Sequence, residues 1–217
     1  MQQRTGRVEY LSSLEKHPER RDPYSFAKLK QEMLFREYQQ KFGFELVVLR
    51  PGVIYGPGNK SLSTRIGLTL PGLFLHVGGS NLLPLSYVEN AADAIVIAGT
   101  RSEAAPTINI VDDDPVTCRY YLRGYRTAIG NIRQVPVPYS IAMSMSRTLA
   151  WYSNKSRGQL PAALTPYKAS ALWRPQRFQN DRLKAIGWTQ TVPTIVGLER
   201  TFASLAADQS RWAKWVD

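Results

Sequence analysis

The sequence predicts an α/β fold organised around a parallel sheet. A helical apolar stripe, Phe26, Leu29 and Met33, runs through the segment ending near Tyr38. After it comes the unbroken apolar run Leu46-Val47-Val48-Leu49, the pattern of a parallel strand buried on both faces. A glycine- and proline-rich stretch, Arg50-Pro51-Gly52-Val53-Ile54-Tyr55-Gly56-Pro57-Gly58, follows at the strand's carboxyl end. In open α/β sheets, ligands sit at that end.

The first helix has a clear start and stop. Asp22 is a natural N-cap and Pro23 suits the first helical position, where its missing N–H is no loss. Gly43 is the expected C-terminal cap. Near the helix start, Tyr24 and Lys28 stand four residues apart and share one face. A phenol titrates near pH ~10, and a neighbouring cation favours its ionised form. The pair alone is weak evidence, since two such side chains on a solvated helix contribute only about 0.2–0.5 kcal/mol. In the following loop, glycines allow close approach of backbone to a ligand, while Pro51 and Pro57 stiffen it.

Downstream, strands and helices alternate. Residues 66–75 read as irregular chain. A strand containing Tyr87-Val88 leads into a helix of about Glu89 to Gly99. Strand Thr107 to Val111, helix Val116 to Ala128 and short strand Arg133 to Val137 come next. Pro138 then opens a helix rich in Met and aromatic residues that extends to Trp151-Tyr152. Those residues read as a packing face, with a lid over a hydrophobic or lipid-linked substrate as the sharper alternative.

Composition narrows the function. With 217 residues, 43% hydrophobic and 11% aromatic, the chain can bury a core. No apolar stretch approaches the ~20 residues of a membrane span. The polar start, Met1 to Arg7, is no signal peptide. Cys118 is the single cysteine, which excludes an internal disulfide and agrees with a cytoplasmic location. It reads as a helix-side filler. His17 and His76 are too few and too far apart for a zinc site. Asp112-Asp113-Asp114 lacks the spacing of a calcium loop and reads as an acidic start to the next helix. The net charge of +11 can favour a phosphorylated substrate, an acidic membrane surface or nucleic acid, but the Lys and Arg are scattered without a nucleic-acid motif.

Taken in order, several motifs resemble the extended short-chain dehydrogenase/reductase superfamily and, more narrowly, the NAD-dependent epimerase/dehydratase family. They are Tyr24-x-x-x-Lys28, the Arg50–Gly58 stretch, Pro84-Leu85-Ser86-Tyr87-Val88-Glu89-Asn90-Ala91-Ala92-Asp93-Ala94, Ile108-Asn109-Ile110-Val111-Asp112 and Ala185-Ile186-Gly187-Trp188-Thr189. The resemblance implies that Tyr24 is the general acid/base. It implies that Lys28 lowers the tyrosine pKa and holds the nicotinamide ribose. Backbone at Pro51, Gly52, Val53 and Ile54 would border the nicotinamide of NAD or NADP. The reaction implied is hydride transfer at a secondary alcohol, on a sugar or nucleotide-sugar first and a sterol-type 3β-hydroxy alcohol second.

Two departures matter. No Gly-x-x-Gly-x-x-Gly turn stands before Tyr24, and Ser12 and Ser13, the nearby candidates for a catalytic serine, read as surface loop. The fold expected is therefore an incomplete Rossmann-type doubly wound sheet, the carboxyl-terminal portion, with a small α/β substrate-binding lobe. Residues 1–58 carry the active-site helix, strand and loop. Residues 59–217 carry mixed sheet-completing elements and the lobe. Such a piece would expose apolar sheet edges. A non-catalytic binding or scaffold protein is the alternative to an enzyme. The second departure is at Leu83-Pro84-Leu85-Ser86, where nucleotide-sugar members carry an Arg-Asp pair. A leucine cannot replace a guanidinium on a diphosphate. Arg174, Arg177 and Asn180 are the alternative phosphate contacts. Relatives often pair through the helix bearing Tyr24 and the one before it; the earlier helix is absent from this sequence, so the resemblance leaves the oligomeric state open, with a homodimer as one alternative.

Overall fold

The structure, a computed structural model, describes residues 23–59, 62–63, 65–70, 73–101, 107–130, 133–155, 166–173 and 177–216. The expectations for Ser12, Ser13, Asp22 and Arg174 fall outside them.

Helix α1 (Pro23–Phe42) ends where the sequence suggests. Gly43 adopts φ 71°, and its N–H closes the last turn on the Gln39 carbonyl at 2.8 Å. The stripe of Phe26, Leu29 and Met33 is half-buried, and Glu32 and Arg36 lie along the same side. The opposite side is exposed and carries Tyr24, Lys28, Phe35, Tyr38 and Phe42 at helical spacing.

Strand β1 (Val48–Pro51) pairs in parallel with β6 (Thr107–Ile110), from Val48 against Thr107 to Pro51 against Ile110. The strand therefore begins two residues later than the apolar run, and Arg50 and Pro51 belong to it. It is also half-buried rather than buried on both faces, because among the described residues β6 is its only strand neighbour. Ile108 and Ile110 are the fully buried alternation of β6.

The expected loop is mostly strand. Gly52 steps the chain sideways: its N–H donates to the Ile110 carbonyl and to Ser86 Oγ, and Val53 N–H donates to the Pro84 carbonyl. The chain then continues as β2 (Val53–Tyr55), parallel to β5 (Leu85–Tyr87). A Cβ on Gly52 would collide with the Pro84 carbonyl oxygen, so the step requires glycine. Only Gly56 onward is turn.

Residues 66–75, expected to be irregular, include an antiparallel pair, β3 (Gly67–Leu70) and β4 (Leu73–His76). A parallel third strand, β7 (Gln134–Pro136), joins β4. Helix α2 (Val88–Thr100) lays Ala91, Ala94 and Ala98 on a core with Ile108, Ile110, Leu183 and Trp188. These small side chains let the helix approach closely. A second core gathers Tyr55, Phe74, Leu83, Leu85, Tyr87 and Leu198.

Helix α3 (Cys118–Ile129) starts two residues later than expected because Thr117 caps it, its Oγ1 accepting from Tyr120 N–H at 3.1 Å. The Asp run does not supply the helix start. Cys118 is buried against Gly78, and burial pushes its thiol up to about 11. In α4 (Tyr139–Lys155) the buried side is formed by Ala142 and Ser146, while Met145, Trp151 and Tyr152 are exposed. The large side chains thus do not form the packing face that composition suggested. Helices α5 (Pro166–Trp173), α6 (Asp181–Ala185) and α7 (Thr194–Val216) complete the chain. No helix among the described residues is long and apolar enough to cross a membrane.

Candidate functional site

The polar connection between α1 and the paired strands is made by Glu32. Arg50 at the end of β1 grips its carboxylate with Nη2 at 2.7 and 2.8 Å and Nε at 3.1 Å. Arg36 adds Nη2 at 2.9 Å from the helix side and also donates from Nη2 to Thr107 Oγ1 at 2.7 Å. Burial alone would raise the Glu32 pKa, but the two guanidiniums outweigh it and hold the carboxyl below its usual range. Nothing in the sequence reading anticipated this cluster. Its signal was a carboxylate embedded in the apolar stripe, three residues after Leu29, facing an arginine that ends an apolar run.

Tyr24 is 71% exposed, and Lys28 is exposed with Nζ donating to Gln31 Oε1 at 3.3 Å. Among the described residues no hydrogen bond joins the phenol to Lys28. The structure thus places the two on one face without bringing their polar ends together. Pro51, Gly52, Val53 and Ile54 lie in and between β1 and β2, and neither Tyr24 nor Lys28 hydrogen-bonds to them among the described residues. The link between the two groups runs through Glu32, one turn beyond Lys28, and Arg50, the residue before Pro51.

Beyond β2 the chain enters a buried polar hub. The Tyr55 hydroxyl, at 2.9 Å, and the Asn90 amide, at 3.0 Å, donate to the Asp112 carboxylate, as does Tyr87 N–H at 3.1 Å. Asn90 also donates to the Val192 carbonyl and accepts from Val192 N–H, both at 2.9 Å. Burial raises the Asp112 pKa despite these three donors. Burial, with the Asp112 charge behind it, also pushes the Tyr55 phenol upward. Tyr55 is therefore a structural phenol, unsuited to proton transfer at neutral pH.

Next to the hub, a cleft of about 360 Å³ opens between Leu82-Leu83-Pro84, residues 111–115 and residues 177–184. Asp113 stands on its wall, receiving the Asn180 amide at 2.8 Å and the Lys184 ammonium at 2.7 Å. Burial would raise its pKa, yet Asn180 and Lys184 together bring it below the usual range. Of the expected phosphate contacts, Arg177 and Asn180 line this cleft, but the Asn180 amide is committed to Asp113 and the Val111 carbonyl. Leu83 is 1% exposed, part of the core.

A model of the NAD dependent epimerase/dehydratase family matches residues 4–111. The match contains Tyr24, Lys28, the Gly52 step and the whole β1–β6 pair. The chain belongs to this family. Curated relatives include a 3-diazoavenalumate denitrifying reductase from a Streptomyces species, 28% identical over 153 residues, covering 68% of this chain and 44% of the relative. Another is 3β-hydroxysteroid-dehydrogenase/decarboxylase isoform 1 of Arabidopsis thaliana, 25% identical over 220 residues, covering 93% and 49%. The chain spans about half the length of these relatives. Among solved structures, the NAD complex of Thermus thermophilus UDP-glucose 4-epimerase is 20% identical. It covers 85% of this chain and 54% of its own at a TM-score of 0.55. That likeness shows the fold: a mixed α/β architecture of the Rossmann type.

Proposed function

We propose that this chain carries the catalytic acid/base of an NAD(P)-dependent oxidoreductase that acts by hydride transfer on a secondary alcohol of a sugar or nucleotide-sugar. Tyr24 takes the hydroxyl proton, and Lys28 holds the nicotinamide ribose. Backbone at Pro51, Gly52, Val53 and Ile54 borders the nicotinamide. The observation that carries the reading is the Tyr24–Lys28 spacing on a helix tied through Glu32 to the strand leading into Gly52. The donor set fits a ribose: the phenol and the ammonium both face solvent, and the ammonium can donate to a diol. When bound, the nicotinamide would supply the hydride chemistry. The relatives' length supports a whole enzyme about twice this size. A cytoplasmic homodimer belongs to the same proposal.

A hydrophobic alicyclic alcohol is the second reading. Leu82, Leu83 and Pro84 give the cleft an uncharged wall, and the Arabidopsis relative is named for a 3β-hydroxysteroid. A single buried leucine cannot bind a diphosphate.

Calorimetry of NAD and NADP on the full 217-residue chain tests the proposal, with Tyr24→Phe/Lys28→Ala as control. Micromolar binding lost in the control supports it. A folded chain that binds neither dinucleotide refutes a self-sufficient enzyme. Turnover with nucleotide-sugars against 3β-hydroxysterols then separates the two substrate readings.

A further inference from the structure

We propose that Glu32 is a positioning residue, whose carboxylate fixes the height and rotation of the helix bearing Tyr24 and Lys28 over the strand leading into Pro51–Ile54. The catalytic consequence rests on the roles proposed above for Tyr24 and Lys28; the geometry does not. Glu32 lies eight residues beyond Tyr24, roughly 12 Å along the helix axis, and one turn beyond Lys28. Its side chain is 13% exposed, and its carboxylate is held on the strand side by the Arg50 fork, with contacts at 2.7, 2.8 and 3.1 Å. A two-point guanidinium–carboxylate contact fixes direction as well as distance. Arg36 extends the arrangement to Thr107, so the clamp reaches both β1 and β6.

Apolar packing is a poor substitute. Phe26, Leu29 and Met33 are only half-buried, so apolar packing holds this helix less firmly than a fully buried face would. A part-buried ion pair adds little net stability compared with an apolar replacement. Its directionality is what the helix gains. A slip of one residue would rotate Tyr24 by about 100° away from its place.

The test places spin labels on the full chain at Ala27→Cys and Val96→Cys, both exposed, with Cys118 buried and unlabelled. Distance distributions are compared among the parent, Glu32→Gln, Arg50→Gln and the double variant. Either single change is expected to broaden the distribution, the double to broaden it little further, and NAD(P) affinity to fall about tenfold. Arg50→Lys keeps the charge but cannot form the fork, and gives the same readout if Glu32→Gln does not fold. An unchanged distribution in a folded variant overturns the proposal, as does unchanged affinity where the parent binds dinucleotide. If the parent binds neither dinucleotide, a self-sufficient enzyme is refuted while the distances still decide the clamp.

Discussion

Asp112 shows what a single residue does when three donors converge on it. The Tyr55 hydroxyl, Tyr87 N–H and the Asn90 amide all need an acceptor, and a carboxylate can serve them together. Asp112→Asn puts an amide N–H₂ among donors. Each donor left without an acceptor costs about 1–3 kcal/mol, read as a lower midpoint in urea unfolding. The pH dependence has a definite sign. Burial raises the folded-state pKa above 3.8, so just above that pH the folded protein holds a proton that the unfolded chain has released. Stability attributable to Asp112 therefore falls as pH rises through that window, and the slope disappears in the Asn variant. A candidate role for Tyr24 and Lys28 was legible only from their four-residue spacing read together with the downstream motifs, and it stands as the proposal above. That of Asp112 was not: three consecutive aspartates look alike in sequence. What separates them is contact with Asn90 and Tyr55, 22 and 57 positions away.

At the scale of elements, local signals worked and pairing did not. Helix α1 was readable from Pro23, its apolar stripe and Gly43, all determined within a few residues. The start of β1 was misread because an apolar run does not encode register; that comes from Thr107 to Ile110 on a distant strand. The β3–β4 pair was missed because Gly67-Leu68-Thr69-Leu70 and Leu73-Phe74-Leu75-His76 carry too little alternation to distinguish them from loop. Gly52 is where the elements constrain one another most. Gly52→Ala would drive its Cβ into the Pro84 carbonyl and separate β2 from β5. The expected result is a destabilised protein, with faster amide exchange at Val53, seen by hydrogen exchange. A variant with unchanged exchange would mean that the step tolerates a side chain.

At the scale of the molecule, the strands among the described residues fall into three small groups, and two cores hold them together. Trp188 closes one core: it is 1% exposed and its Nε1–H donates to the Asn90 carbonyl at 3.1 Å. Trp188→Ala is expected to cost about 3–5 kcal/mol, a large share of any domain's stability. Thermal unfolding followed by tryptophan-independent circular dichroism would measure it. The family and fold class were legible because Tyr24-x-x-x-Lys28, the Gly52 stretch and Ile186-Gly187-Trp188 occur in one order. The candidate site was less so, because among the described residues neither exposed Tyr24 nor Lys28 hydrogen-bonds to Pro51–Ile54.

The Tyr55 hydroxyl donates to Asp112 and also, at 3.2 Å, to the backbone carbonyl of Thr194, 139 positions along the chain. Measured along the contour, the start of α7 is remote from β2. Measured in contacts, it is two steps from Ile54: one peptide bond and one hydrogen bond. Gly197 keeps that shortcut open, since a Cβ there would press on the Tyr55 hydroxyl and the Tyr87 ring. Substitutions near the start of α7 thus act as neighbours of β2.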